Sequence, residues 1–282
     1  MLSGVPETAL WTLYHRAIAA RNGVLDDPKA IELVERIDHP FQERFGDGEL
    51  AAWQGLRVRA FDNEIRRFIT AHPDATVIAL GEGLETQFWR VDNGRVRWVT
   101  VDLPESVALR RQLLPQTERQ RLIAASALDT AAWIDTEPGL ITAQGLLMYL
   151  DRDAVHGLLK GLPPAALLFD LVSKRLAAHS ARPRKSGYQA PAWTFGADQR
   201  ELDALPVEGL RRVPIPHGRG AVAGVLVPLL NRVLNPIGVY SARTIAASSS
   251  STATPATTST VASSANAARA VRDATRATRR DA

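Results

Sequence analysis

The chain has 282 residues, of which 45% are hydrophobic and 23% charged, and it contains no cysteine. These values are ordinary for a globular protein of about one large domain, and they exclude a wholly disordered chain, a collagen and a coiled coil. The lack of cysteine excludes a disulfide scaffold, a thiolate metal site and a cysteine nucleophile.

The net charge of +4 is unevenly distributed along the chain. Residues 246–282 hold five arginines and two aspartates, so they carry +3 and leave the remainder nearly neutral. We therefore expect no nucleic-acid partner.

The longest apolar run, residues 221–230, is too short for a bilayer span, which needs about 20 residues. The N-terminus lacks the basic segment of an export signal, so we expect a cytoplasmic protein without membrane association.

The first 75 residues predict a helical region. Apolar residues recur at helical spacing over 8–21 and over about 56–72. Between these segments a further helix is predicted to begin at Pro28, with Asp26 or Asp27 as its cap.

From Thr76 onward, short apolar strands alternate with helical patterns. Such repeated units predict parallel strands joined by right-handed crossovers, with helices on both faces. We expect a doubly wound, mostly parallel, Rossmann-like α/β core over 76–245, with an inserted lid or acceptor segment at about 173–220. Residues 246–282 are rich in Ala, Ser and Thr, which predicts a disordered tail. The predicted strands cover residues 77–80, 97–101, 121–125, 140–143 and 165–172.

Two strand ends carry residues typical of a nucleoside site. The first strand runs into Gly81-Glu82-Gly83, and the second ends at Asp102, 21 residues after Gly81. In open α/β sheets the ligand lies beyond the carboxyl ends of the strands, where an acidic residue can accept hydrogen bonds from ribose hydroxyls. Alternatively, Asp102 could only cap the helix predicted from Pro104.

The glycine turn departs from a dinucleotide fingerprint. Thr86 occupies the position of the third glycine, and the carboxylates of Glu82 and Glu85 would repel a pyrophosphate. A cofactor with an amino group and a cationic sulfur centre fits better, which favours S-adenosylmethionine. A nicotinamide oxidoreductase remains an alternative on the same topology.

Five runs of the chain form an ordered set of motifs: LDDPKA at 25–30, RAFD at 59–62, VIALGEGLETQFWR at 77–90, VDLP at 101–104 and QGLLMYL at 144–150. Together they resemble the leucine carboxyl methyltransferase family, which includes polyketide O-methyltransferases of the tetracenomycin type. The resemblance extends over about residues 5–230 and implies a methyltransferase that uses S-adenosylmethionine. Two residues depart from the family pattern: Gln87 stands where the family usually has arginine, and Gln144 where it often has glutamate.

The resemblance also implies roles for single residues. Arg59 is expected to pair with the cofactor carboxylate, and Asp102 to bind the ribose. Gly81 and Gly83 are expected to contact the methionine part, and Gln144 the amino group. Residues 126–129 are expected to flank the adenine. The complete predicted cofactor-binding set is Arg59, Gly81, Glu82, Gly83, Asp102, Leu103, Ser126, Ala127, Leu128, Asp129, Gln144 and Gly145.

The predicted methyl acceptor is a small molecule, bound by Tyr149, Tyr188 and Trp193. The predicted reaction is a direct displacement onto a carboxylate or hydroxyl oxygen, and no metal site is predicted. No catalytic base can be assigned, although His217 is a candidate. Two alternatives stay open within the family: methylation of a protein C-terminal carboxyl, and a non-catalytic member that only binds S-adenosylmethionine.

Overall fold

The computed structural model describes residues 7–135, 137–180, 188, 190–217 and 237–245, and the structural statements below concern these residues. Residues 246–282, which we predicted to be disordered, lie outside the described residues. The same holds for part of the predicted insertion between 173 and 220.

Within the described residues, four helices precede the first strand. The cap of the second helix is Asp27, because its side chain accepts the Ala30 N–H at 3.0 Å while Pro28 occupies the first turn. The sequence pattern predicted this start but missed the five-residue third helix. The four helices are α1 (Glu7–Arg21), α2 (Pro28–Arg36), α3 (Phe41–Phe45) and α4 (Ala51–Ala71).

The strands form one seven-stranded sheet, whose order along the sheet is β3-β2-β1-β4-β5-β7-β6. The first five strands are parallel, and β7 runs antiparallel between β5 and β6. This confirms the doubly wound, mostly parallel fold. The strands are β1 (Thr76–Leu80), β2 (Arg97–Asp102), β3 (Gln120–Ala124), β4 (Leu140–Ala143), β5 (Ala166–Val172), β6 (Val207–Val213) and β7 (Ile237–Thr244).

Helices cover both faces of the sheet. Ile78 and Leu80 of β1 pack in the same apolar cluster as the helix after β4, whereas Val77 and Ala79 pack with α4 and the helix after β1. This alternation follows from the two-residue period of a strand. None of the described helices is long and apolar enough to cross a membrane. The remaining helices are α5 (Gln87–Val91), α6 (Pro104–Leu113), α7 (Arg152–Gly161), α8 (Lys174–Ala178) and α9 (Gln199–Asp203).

Strands β6 and β7 were not predicted. β6 lies at the edge of the sheet and reads VEGLRRV, so exposed charges interrupt its apolar pattern. Residues 207–213 of the predicted insertion are therefore part of the sheet. β7 reads IGVYSART, in which glycine and serine obscure a strand that is mostly buried.

Candidate active site

The strand order reverses its direction between β1 and β4. The chain runs outward from β1 through β2 to β3 and then returns to place β4 on the other side of β1. Such a reversal is the topological switch point at which open α/β sheets bind ligands. The predicted site residues after β1, β2, β3 and β4 therefore lie along one edge of the sheet.

The glycine loop, residues 81–86, turns sharply after β1. Gly81 and Gly83 have φ angles of 62° and 52°, in the left-handed region that favours glycine. A Cβ atom at Gly81 would come within 2.9 Å of the Leu146 side chain. The two glycines thus allow the loop to turn close beneath the residues that follow β4.

Asp102 at the end of β2 is hydrogen-bonded to the glycine loop. Its Oδ2 accepts the Gly83 N–H at 2.6 Å, and its Oδ1 accepts the Leu103 N–H at 2.7 Å. Burial raises the pKa of the Asp102 carboxyl above its usual value, and these two N–H groups oppose the shift. The N-cap of α6 is Leu103, without a side-chain cap bond, so the alternative that Asp102 only caps this helix is not supported.

Two leucines are exposed at the ends of β2 and β3. The exposed fractions of Leu103 and Leu128 are 37% and 39%, large values for apolar side chains. Leu128 belongs to the turn of residues 126–129, in which the Leu128 N–H donates to Ser126 Oγ at 3.2 Å and the Asp129 N–H to the Ser126 carbonyl at 3.0 Å. Because β2 and β3 are neighbours, these leucines follow adjacent strand ends.

The side chain of Glu82, a member of the predicted cofactor-binding set, is buried against the sheet. Its carboxylate accepts from Thr100 Oγ1 and from Trp98 Nε1 at 3.2 Å, and it pairs with Arg110 of α6 at 3.1 Å. Only 3% of the side chain is exposed. Burial raises the pKa of the Glu82 carboxyl, while Arg110 opposes that shift. We expected this carboxylate to repel a pyrophosphate, but it is buried and its charge is balanced by Arg110.

The negative charge of Glu85, the other carboxylate of the loop, is balanced by two arginines. It pairs with Arg16 at 3.3 Å and with Arg90 at 2.8 Å. Burial acts to raise its pKa, but the two arginines outweigh burial and lower the pKa to about 2. Arg90 also binds Asp27 and Asp62. The buried ion network is the set Arg16, Asp27, Asp62, Glu85 and Arg90.

Gln144 after β4 contacts this network through its amide. Its Nε2 donates to Glu85 Oε2 at 2.9 Å, and its Oε1 accepts from Gln87 Nε2 at 3.4 Å. Gln87 also donates to Asp62 Oδ1 at 3.0 Å. The two glutamines that depart from the family pattern thus bond to each other and to the network. An amide oxygen has a second lone pair, so Gln144 keeps acceptor capacity.

Arg57, rather than Arg59, lies beside the end of β4. Arg57 pairs with Asp170 of β5, and the other oxygen of Asp170 accepts the Gly145 N–H at 2.7 Å. Gly145 has a φ of 70°. Arg57 Nε is buried and has no hydrogen-bond partner among the described residues. In contrast, Arg59 Nη1 donates to the carbonyls of Val24 and His217, each at 3.3 Å.

The three predicted acceptor residues fall into two groups. Tyr149 and Trp193 pack beside Trp53 in the cluster built on Met148, Val172 and Ile237, near the ends of β4 and β5. Tyr188 lies in another cluster, where its hydroxyl donates to Thr8 Oγ1 at 3.2 Å and its ring stacks on Trp11. The structure therefore does not bring Tyr188 to Trp193.

Several residues of this region were not predicted from the sequence. Asp170 could have been noticed, because it is the one charged residue in the apolar strand LLFDLV. Trp53 had no such signal, since its neighbours in the cluster come from distant segments. Arg16 and Arg110 look like ordinary helix-surface residues in the sequence, yet their side chains are only 4% and 1% exposed.

Comparisons with known proteins agree on a family. The family model described as Leucine carboxyl methyltransferase matches residues 8–162, more than half of the chain. The chain is 35% identical over 224 residues to the tetracenomycin polyketide synthesis O-methyltransferase TcmP of Streptomyces glaucescens, covering 74% of this chain and 82% of TcmP. It is 30% identical over 182 residues to the S-adenosyl-L-methionine-dependent methyltransferase dpfgK of Gibberella zeae, covering 56% and 60% of the two chains.

Among solved structures, the N-methyltransferase NodS from Bradyrhizobium japonicum, in complex with S-adenosyl-L-homocysteine, matches with a TM-score of 0.44 and 13% identity. This match covers 77% of the present chain and 99% of NodS. The family assignment rests on the sequence matches.

The family model and the sequence relatives define an S-adenosylmethionine-dependent methyltransferase. The chain belongs to the leucine carboxyl methyltransferase family. The predictions of family, enzyme class and cofactor are thereby confirmed, and the nicotinamide oxidoreductase is set aside.

Proposed function

We propose that the protein methylates an oxygen atom of a small molecule, a carboxylate or hydroxyl of a polyketide-type natural product. The observation that carries the proposal is the 35% identity to TcmP, extending over 82% of that O-methyltransferase. The apolar surroundings of Tyr149 and Trp193 near the ends of β4 and β5 agree with a ring-containing acceptor.

The residues at the ends of β2 and β3 fit the nucleoside part of the cofactor. The Asp102 carboxylate offers about four lone-pair positions and accepts the Gly83 N–H, the Leu103 N–H and a hydrogen bond from the Ser106 side chain, so it keeps the capacity to accept a ribose hydroxyl. The exposed side chains of Leu103 and Leu128 offer apolar surfaces for the faces of the adenine. Ala127 lies between Ser126 and Leu128 in the same turn, and Asp129 ends it.

We assign the cofactor carboxylate to Arg57 in place of Arg59. Arg57 is a buried cation beside Gly145, and its Nε has no partner among the described residues. A guanidinium binds a carboxylate in a bidentate geometry, and Asp170 holds the Arg57 side chain in position. Gln144 can then accept a hydrogen bond from the amino group, while Gly81 and Gly83 let the loop approach the methionine part.

The acceptor is proposed to bind against Trp53, Tyr149 and Trp193. Trp193 Nε1 is buried without a partner among the described residues, so it can donate to a polar group of the acceptor. A cavity of about 360 Å³ beside Trp193, between α8 and residues 193–196, is lined by the charged Arg152, Lys174 and Glu201 and not by Trp53 or Tyr149, so the acceptor proposal rests on the aromatic cluster and not on this cavity.

The chain's own contribution to the reaction is alignment and exclusion of water. When bound, S-adenosylmethionine supplies a methyl group on a cationic sulfur, which is already an activated leaving group. Asp102 would hold the ribose and Arg57 the methionine carboxylate, and the aromatic cluster would align the acceptor oxygen with the methyl group. A carboxylate acceptor needs no base, whereas a phenol, with a pKa of about 10, benefits from one. His217 stays a candidate for that base.

A methyl-transfer assay tests this proposal. The wild-type chain is incubated with methyl-labelled S-adenosylmethionine and, separately, an aromatic polyketide acid, its phenolic analogue and a peptide with a free C-terminal carboxyl. Label on the polyketide, as a base-labile ester or a stable ether, supports the proposal and tells carboxylate from hydroxyl. Label on the peptide alone contradicts it. Binding of S-adenosylhomocysteine without transfer to any acceptor indicates a non-catalytic member.

A further inference from the structure

Two buried arginines from different helices hold the backbone of the glycine loop. Arg110 of α6 donates from Nη1 to the carbonyl oxygens of Gly83 and Glu85, at 2.7 and 2.8 Å. Arg16 of α1 donates from Nη2 to the carbonyl oxygen of Leu84, at 2.7 Å. Three consecutive carbonyls of the loop thus accept from guanidinium groups.

The same arginines pair with the two carboxylates of the loop. Arg110 Nη2 lies 3.1 Å from Glu82 Oε2, and Arg16 Nη1 lies 3.3 Å from Glu85 Oε2. The arginine side chains are almost completely buried, so solvent and salt screen these charge-assisted contacts little. Each arginine therefore restrains both the backbone and a side chain of the loop.

This arrangement extends to the ribose site through a single hydrogen bond. The Gly83 carbonyl is bound by Arg110, while the Gly83 N–H donates to Asp102 Oδ2 at 2.6 Å. A shift of the Gly83 backbone would therefore move the donor that orients the Asp102 carboxylate.

We propose that Arg16 and Arg110 are positioning residues that hold the glycine loop in its cofactor-binding conformation before the cofactor arrives. The proposal rests on the function proposed above for Gly83 and Asp102. It makes α1, which lies far from the loop in the sequence, part of the cofactor site. Preorganisation of this kind increases affinity because the ligand does not have to order the loop.

Lysine is the informative replacement at both positions. A lysine ammonium keeps the charge opposite Glu82 or Glu85, but it lacks the planar fork that holds a carboxylate and backbone carbonyls together. Arg110→Lys is expected to weaken binding of S-adenosylhomocysteine about tenfold. This factor corresponds to the free energy of ordering the backbone of about one residue, which the ligand would then have to supply. Arg16, which holds one carbonyl, is expected to show a smaller loss of about threefold.

The experiment combines calorimetry with hydrogen exchange. The dissociation constant of S-adenosylhomocysteine and the exchange of the amides of residues 81–86 are measured for the wild type, Arg16→Lys and Arg110→Lys. Matched controls are Arg21→Lys on α1 and Arg111→Lys on α6, both exposed arginines. We expect faster loop exchange in the two test variants without ligand, full protection at saturating ligand, and no change in the controls.

The outcomes separate the positioning role from the proposed cofactor site. In one outcome, the wild type binds S-adenosylhomocysteine while both test variants show the wild-type affinity and the wild-type loop exchange. That result overturns the positioning role and leaves the cofactor site in place. Faster exchange throughout the sheet, rather than in the loop, shows a general structural role and also overturns it. A wild-type chain that does not bind S-adenosylhomocysteine overturns the cofactor site itself. If Arg110→Lys does not fold, Arg16→Lys decides the same question.

Discussion

The two halves of the carboxyl edge of the sheet are built differently. Over β1, β2 and β3, the glycine loop, Asp102 and the turn of residues 126–129 lie at the ends of strands or within a few residues after them. Over β4 and β5, the cluster around Met148 collects Trp53 from α4, Tyr149 from the end of β4 and Trp193 from a distant loop. The first half is local in sequence, and the second is assembled from distant segments.

This difference explains which residues a sequence can assign. A glycine turn or an acidic residue that directly follows a predicted strand must lie at the carboxyl edge of the sheet, so its position can be predicted without knowledge of the rest of the fold. An aromatic side chain in a long connection has no such constraint, so Tyr188 and Trp193 belong to separate clusters despite lying five positions apart. The fold family therefore indicates the cofactor more directly than the acceptor.

The largest expected effect lies in the cofactor half. Asp102→Ala should weaken binding of S-adenosylhomocysteine by about 10- to 100-fold, because charge-assisted hydrogen bonds contribute roughly 1.5–3 kcal/mol each. Calorimetry measures the loss. Glu105→Ala, which removes an exposed carboxylate nearby, is the control and should leave the affinity unchanged. Equal losses in the two variants would show that Asp102 does not bind the ribose.

The acceptor half is tested by a contrast between Trp193 and Tyr188. Trp193→Ala should raise the acceptor KM about tenfold and leave the affinity for S-adenosylhomocysteine within about threefold. Tyr188→Ala should instead lower the free energy of unfolding by about 3–5 kcal/mol, because it empties a packed site in the helical cluster. Steady-state kinetics and denaturant unfolding separate the two effects. A raised acceptor KM in a stable Tyr188 variant would return Tyr188 to the acceptor site.

A second contrast concerns Arg57 and Arg59. Arg57→Lys should weaken binding of S-adenosylhomocysteine about tenfold, since a lysine cannot bind Asp170 and the cofactor carboxylate in the same geometry. Arg59→Lys should change the affinity less than about twofold. Both are measured by calorimetry, with melting temperature as the check on folding. The opposite ranking would restore the assignment implied by the family resemblance.

The two carboxylates of the glycine loop should respond to pH in opposite directions. The pKa of Glu85 is depressed to about 2 from its ordinary 4.5, so its contribution to stability is present above pH 4.5 and is lost as the pH falls toward 2. The pKa of Glu82 is raised, so its contribution is present below pH 4.5 and is lost as the pH rises through the folded-state pKa.

Denaturant unfolding of Glu85→Gln and Glu82→Gln across this pH range measures both contributions. Relative to the wild type, Glu85→Gln should lose less stability on acidification, and Glu82→Gln should lose less as the pH rises above 4.5. If the free energies of unfolding of the two variants changed with pH in the same way, the surroundings of the two carboxylates would shift their pKa values in the same direction.

The smallest expected effect is that of the C-terminal segment. We propose that residues 246–282 do not contribute to the folded core, because they are mostly Ala, Ser and Thr and contain no aromatic residue. Deletion of residues 248–282 should leave the melting temperature within about 2 °C of the wild type and the cofactor affinity unchanged. A larger drop measured by calorimetry would mean that this segment packs on the enzyme.

Periodicity predicted the five parallel strands and strand-end motifs predicted a nucleoside site, because these features are encoded within short windows. The identity of the cofactor followed from the family resemblance. β6 could not be predicted, since an edge strand need bury only one face and its charges break the alternation. The buried ion network was also hidden. The pairing of Arg16 with Glu85 depends on where the fold brings α1, and no local pattern distinguishes a buried arginine from an exposed one.

The central claim is that the cofactor nucleoside binds over β1, β2 and β3 and the acceptor over β4 and β5. A crystal structure of the chain with S-adenosylhomocysteine tests this claim most directly. We predict that the ribose hydroxyls lie within hydrogen-bond distance of the Asp102 carboxylate. The adenine should lie between Leu103 and Leu128, and the homocysteine carboxylate should face Arg57. A cofactor whose nucleoside lies instead against Tyr149 and Trp193, over β4 and β5, would contradict the account.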